Sequence, residues 1–139
     1  MLNLLQAAVM SSETVAIAAD HAGHELKEIL EKEFAETGVP ALDPATHGPD
    51  SLDYPDDAGA LAAAIEQRKA ARGILLCGGG IGIAANRHRE LRAAYRHDAL
   101  TARLARQHND ANVLMLGARL IGVDAAKGCL DVFLNIGFE

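Results

Sequence analysis

The feature that most constrains this chain is an alternation. Five short apolar runs, "TVAIAAD" (14–20), "VPALDPA" (39–45), "RGILLC" (72–77), "LRAAYR" (91–96) and "NVLMLG" (112–117), are each succeeded by a stretch of helical character. The runs are continuously apolar rather than alternating with polar residues, as strands are when both faces are covered. "HELKEILEKEFAETG" (24–38) sets Leu26, Ile29, Leu30 and Phe34 at helical spacing and stops at Gly38. Pro55 leads "DDAGALAAAIEQRKA", which suits the first turn of a second helix. "IGIAANRHR" (81–89), "DALTARLARQHN" (98–109) and "GVDAAKGCLDVFLNI" (122–136) complete five predicted helices.

Strand–helix alternation over 139 residues predicts an α/β fold. The expected form is a three-layer αβα, doubly wound, five-stranded parallel sheet of Rossmann-like type. No repeat, low-complexity tract or linker is visible, so residues 14–139 are expected to form a single domain. Residues 1–13 are read as a loose N-terminal extension. They lack a basic leader region and are too short to span a bilayer. With no membrane segment, and two cysteines in no CxxC or zinc-ligand spacing, a cytoplasmic setting is expected. The net charge of −6 argues against nucleic acid as a partner. No metal ligand set is visible, and no cofactor is expected.

In a sheet of this type ligands gather beyond the carboxyl ends of the strands, near the switch in strand order. That rule selects the residues just past each strand. Gly78, Gly79, Gly80 and Gly82 allow close backbone approach, and free amides at a helix start can hold an anion or a developing oxyanion. They do not match the dinucleotide fingerprint, because position 83 is Ile83, nor a P-loop, because no Gly-Lys-Ser/Thr comes after them. Cys77, at the strand end under that helix start, is a candidate base with a lowered thiol pKa. A lone Cys is equally at home as a small core residue. Cys129 reads as core.

Asp20-His21 closes the first strand. A carboxylate beside an imidazole suits proton handling, and Asp20 also suits the cap of the first helix. His108-Asn109 ends the fourth helix, where a His either shuttles protons or complements the helix dipole. Arg119 is placed to clamp a phosphate, or else forms a surface ion pair. "RHRELR" (87–92) reads as a solvated helix face.

"AIAADHAGHELKE", "SLDYPD", "GILLCGGGIGIAANR" and "LRAAYRHDALTARLARQHNDANVLMLGARLIG" together resemble the ribose-5-phosphate isomerase B family, from about Thr14 to Glu139. The wider family includes the galactose-6-phosphate isomerase subunits. The resemblance implies metal-independent interconversion of ribose 5-phosphate and ribulose 5-phosphate, a step of the pentose phosphate pathway. The cysteine matching Cys77 would move a proton between C1 and C2 through a cis-enediol(ate). The histidine matching His108 would open the sugar ring, assisted by the aspartate matching Asp20. Asn109 and the amides around Gly78 to Gly82 would hold sugar oxygens. His21 and Arg119 would meet the phosphate, and Tyr54 would line the site. The resemblance also implies a homodimer or a dimer of dimers, with each site shared between subunits.

Three departures from the family pattern stand out. Gly79 replaces a Ser or Thr whose hydroxyl would bond the reacting oxygens, a loss worth on the order of 10- to 1000-fold in rate if nothing compensates. Only Ile83 separates Gly82 from Ala84-Ala85-Asn86. Losing two residues there would rotate a continuing helix by about 200°. The family's Gly-Gly-Arg-His continuation is not found after Phe138-Glu139, so weaker phosphate binding is expected. The departures keep a second reading open: a catalytically weak sugar-phosphate-binding partner subunit, as in heteromeric galactose-6-phosphate isomerase. A nucleotide-binding α/β domain is a third, disfavoured by the imperfect glycine pattern.

Overall fold

The computed structural model describes residues 14–44, 54–77 and 85–137. Strands β1 (Val15–Ala19), β2 (Ala41–Leu42), β3 (Arg72–Cys77), β4 (Ala93–Tyr95) and β5 (Val113–Gly117) form one sheet in the order β2-β1-β3-β5-β4. Every adjacent pair is parallel. The described residues contain four helices, α1 (His24–Thr37), α2 (Tyr54–Glu66), α3 (Ala99–Asn109) and α4 (Val123–Asn135). This is the α/β layout expected from the alternation of apolar runs.

Successive strand residues point to opposite faces, and each face has its own core. On one, Val15, Ile17, Ile74, Leu76, Leu114 and Leu116 pack under α1, α3 and α4 through Leu30, Phe34, Ala102, Ala105, Leu130 and Phe133. Cys129 belongs to this core, and burial pushes its thiol pKa up. On the other, Ala16, Ala18, Leu75, Cys77, Val113 and Met115 lie against Ala58, Leu61 and Ala62 of α2 and against Ala85 and Leu91. Alanines on β1 let α2 approach the sheet closely; each large side chain buried on either face contributes about 1.5–3 kcal/mol.

The third predicted helix is corrected in part. Residues 81–84 of "IGIAANRHR" lie outside the described residues, and from Asn86 onward the chain runs in turns rather than helix. The backbone bonds there span three residues, His88 N to Ala85 O and Leu91 N to His88 O. Asn86 explains the change. Its Nδ2 donates to Ala93 O at 3.0 Å and its Oδ1 accepts from Ala93 N at 2.9 Å, as a neighbouring strand would. Pairing with the start of β4 fixes Asn86 outside a helix. Two predicted strands are shorter than their apolar runs, 91–96 contracting to Ala93–Tyr95 and 39–45 to Ala41–Leu42.

Buried polar groups tie the helices to the frame. Arg106 of α3 donates from Nε to Ile136 O at 2.9 Å, and from Nη1 to Ala111 O at 2.6 Å and Asp110 Oδ1 at 2.9 Å. Lys27 of α1 pairs with Asp43 beyond β2 and with Glu31 at 3.2 Å. Burial opposes the charge on Lys27, but Asp43 and Glu31 outweigh it and hold the ammonium pKa above its ordinary value.

Candidate active site

The carboxyl ends of β1, β3 and β5 lie side by side, and the register sets three segments in a row. Ala19 pairs with Leu76, and Cys77 with Gly117. Asp20 therefore stands level with Cys77 on one side, and the start of the Gly117-Ala118-Arg119 turn does so on the other. Neighbouring strands are about 4.8 Å apart, so β3 at Cys77 runs one strand spacing from the Asp20 backbone on one side and from Gly117 on the other, and those two stand two spacings apart. Asp20 N donates to Leu76 O at 3.0 Å, and Ala118 N donates to Cys77 O at 2.8 Å.

Asp20 has a definite local task. Its Oδ1 accepts from Gly23 N at 3.0 Å, capping the 3-10 turn His21–Gly23 that leads into α1. That turn lies directly on β3. A Cβ on residue 23 would come 2.6 Å from Leu76 O, so only glycine fits. His21 and Arg119 are exposed beside this row.

Cys77 is fully buried, on the α2 face of the sheet. Its Sγ–H points toward Leu116 O at 3.8 Å. Ala16, Ala18, Leu75 and Met115 belong to the same apolar cluster. Tyr54 opens α2, while Gly78, Gly79, Gly80 and Gly82 lie outside the described residues.

His108 and Asn109 are not brought to this row. They end α3, which returns from the carboxyl end of β4 to the amino end of β5. Asp98 marks the start of that return: its carboxylate caps α3 by accepting from Thr101 N at 2.7 Å. Arg92, just before β4, marks the end: its guanidinium donates twice to Asn109 O, at 3.1 and 2.6 Å. A helix of 11 residues is about 16 Å long, and that span separates His108 from the carboxyl ends of the strands. Within one chain, His108 and Asn109 stand at the opposite end of the sheet from Cys77, Asp20 and Arg119.

Tyr95 is a site neighbour that sequence reasoning missed. It ends β4 and packs on the same face as Cys77, and its hydroxyl is buried without a hydrogen-bond partner among the described residues. The ring crosses β5 so that the oxygen sits where a side chain on Gly117 would be. Burial, and then the charge of Cys77, push its phenol above the ordinary range. His97 meets the Tyr95 ring edge-on at 4.7 Å. Both residues line an open cleft of about 390 Å³ together with Arg96, Asp98, Thr101 and Leu104. Among the described residues, no group of three His, Cys, Asp or Glu side chains is arranged to hold a metal ion.

The family model for ribose/galactose isomerases matches residues 15–139. The chain belongs to that family. Ribose-5-phosphate isomerase B of Escherichia coli is 38% identical over 127 residues, covering 90% of this chain and 85% of that protein. The crystal structure of a ribose 5-phosphate isomerase from Thermotoga maritima superposes with a TM-score of 0.83 at 44% identity, covering 91% of this chain and 88% of that one. Ribose-5-phosphate isomerase B from Mycoplasma genitalium, solved with bound ribulose-5-phosphate, gives a TM-score of 0.80 at 35% identity, covering 91% and 86%. These relatives are named for ribose 5-phosphate isomerisation. Among the described residues, no helix is long and apolar enough to cross a membrane.

Proposed function

We propose that this chain is an aldose–ketose isomerase that interconverts ribose 5-phosphate and ribulose 5-phosphate. The observation that carries the reading is the placement of Cys77 at the end of β3, level with Asp20 and one strand from the Gly117-Ala118-Arg119 turn. Moving a proton between adjacent carbons needs a base beside the carbon and a place for charge on the oxygens. In this reading the Cys77 thiolate removes the proton from C2 of the open-chain aldose. The C1 carbonyl oxygen takes up the charge as a cis-enediolate, and the same sulfur returns the proton to C1. Asp20 and His21 handle hydroxyl protons at the mouth of β1, passing the O2 proton to O1 as the enediolate becomes the ketose. Arg119, exposed after β5, offers a guanidinium to the phosphate.

Ring opening requires a group that both gives and takes a proton, the task assigned to His108 with Asn109 beside it. Both stand about one helix length from Cys77 in the same chain. We infer that they serve the site of a second copy, so the active form is at least a homodimer. Closed two-fold pairing makes the contribution reciprocal.

The test is conversion of ribose 5-phosphate by the purified chain, run beside Cys77→Ala. A fall of about 10²–10⁴-fold is expected on removing a proton-transferring group. Equal rates for the two proteins would overturn the assignment of Cys77. No ketose from either protein at high concentration, with galactose 6-phosphate equally unreactive, would favour the non-catalytic sugar-phosphate-binding reading.

A further inference from the structure

We propose that Tyr95 is a positioning residue for the Cys77 thiol, its phenolic O–H supplying the dipole that steadies negative charge on Sγ. The inference rests on reading Cys77 as the group that carries the proton.

The first support is the hydroxyl itself. It is buried and makes no hydrogen bond among the described residues, an arrangement that costs a folded protein stability. Orphaned polar groups of this kind are few in native structures and call for an explanation in function. Here the orphan lies at the strand ends where the proposed chemistry takes place.

The second support is the path of the side chain. Tyr95 pairs with Met115 in the sheet, yet its hydroxyl reaches Gly117, two residues farther along β5. Gly117 in turn pairs with Cys77, and both Cys77 and Tyr95 belong to the α2 face. The absence of a side chain at 117 leaves the space that the hydroxyl takes up, beside the strand that carries Cys77.

The third support is need. A thiolate among Ala16, Ala18, Leu75 and Met115 is penalised by its apolar surroundings unless dipoles face it. The phenol is fitted to be such a dipole, because burial and the nearby sulfur both keep it protonated while a thiol ionises. Tyr95 keeps its own proton throughout; the proton taken from the sugar rides on Cys77 alone. The other titratable groups on the elements next to Cys77 are Asp20 and His21 after β1, Asp57 buried in α2, and Arg119 after β5. His97 meets the Tyr95 ring edge-on. Replacing the hydroxyl alone leaves all of these in place.

The experiment is Tyr95→Phe, with ionisation of Cys77 tracked by ultraviolet thiolate absorbance as the difference from Cys77→Ala in the same background. That difference cancels Cys129. Loss of the donor is expected to move the Cys77 midpoint up by about one pH unit, leaving roughly tenfold less thiolate at neutral pH. The acid limb of the kcat profile should move with it, while KM stays within about twofold. The melting temperature should hold or rise by about 2–5 °C, because the lost hydroxyl made no bond. Gly117→Ala, which pushes the hydroxyl aside without removing it, should shift the thiol in the same direction. An unchanged Cys77 midpoint in both variants overturns the proposal. The thiol titration needs no turnover, so an inactive parent chain would defeat the isomerase reading while leaving this one to be decided by the absorbance.

Discussion

The Tyr95 hydroxyl occupies the space that a side chain on Gly117 would need. A Cβ at 117 would collide with that oxygen and would also press on Tyr95 Cζ and Leu120 Cδ1, each at 3.2 Å. The collision is with a ring held on both sides, by the sheet and by His97, so it cannot be relieved by a free rotation. Gly117→Ala is therefore expected to cost about 1–3 kcal/mol, as overpacking does in a closed core. Combining it with Tyr95→Phe should restore part of the loss, since the closest contact is with the oxygen. Chemical denaturation of the four proteins in a double-mutant cycle measures the coupling, expected at about 0.5–2 kcal/mol. Additive effects would mean that residues 95 and 117 do not share this space.

Arg106 is nearly fully buried and spends its guanidinium on three main-chain or side-chain oxygens at the ends of α3 and α4. It also lies over the Phe133 ring at 6.0 Å. Arg106→Met keeps much of the aliphatic stem but strands Ile136 O and Ala111 O. Each buried acceptor left unpaired costs about 1–3 kcal/mol, so a total loss of about 2–4 kcal/mol is expected in urea unfolding. Arg106→Lys should recover little of it, because one ammonium cannot match the geometry of the fork. Its distance from the strand-end row predicts that the Arg106→Met protein, where folded, retains the wild-type KM.

Much of this fold is legible in the sequence because each buried strand is an unbroken apolar run. "GILL" and "VLML" can hardly be anything other than central strands, and they form β3 and β5. Their order is not legible. Nothing in "LRAAYR" says that β4 lies at the edge with β5 between it and β3, and that order is what carries the Tyr95 ring to Gly117. In the sequence alone the tyrosine is one aromatic in a short strand, with no mark of a site. The turns after Asn86 read as helix because alanine and arginine favour helix locally, whereas an asparagine side chain bonded to a strand seven residues away prevails. The separation of His108 from Cys77 does have a sequence signal. A helix between two parallel strands must run back, so its last residues face the amino end of the sheet.

Lys27 gives a stability test with a definite sign. Its pKa is raised in the folded protein above the ordinary 10.5. A group of this kind contributes its full stabilisation below the unfolded value and loses it as pH rises through the folded one. The pairing with Asp43 and Glu31 is thus intact at neutral pH and fades only in strong alkali, above about pH 10.5. Lys27→Met should destabilise the protein by about 2–4 kcal/mol near pH 7, because Asp43 would remain largely buried with its principal cation gone. Melting curves of the two proteins should draw together above that pH. A gap that is constant up to the most alkaline point would show that the ammonium charge contributes nothing.

The division of the site between two copies can be tested by mixing inactive proteins. Cys77→Ala and His108→Ala each remove one partner from every site of a homodimer, so each alone is expected to lose about 10²-fold or more in activity. When the two are mixed and allowed to exchange subunits, half of the dimers are heterodimers. In each of these, one site takes Cys77 from one chain and His108 from the other and is intact, while the second site carries both defects. About one quarter of the sites should therefore recover, and with them about one quarter of the wild-type rate. If Cys77 and His108 served the same site within one chain, no combination of these two proteins would rebuild it. The roughly 16 Å run of α3 between them is the physical reason to expect recovery. Failure of the mixture to regain activity, with subunit exchange confirmed by mass spectrometry of the intact dimers, would overturn the sharing of each site between two copies.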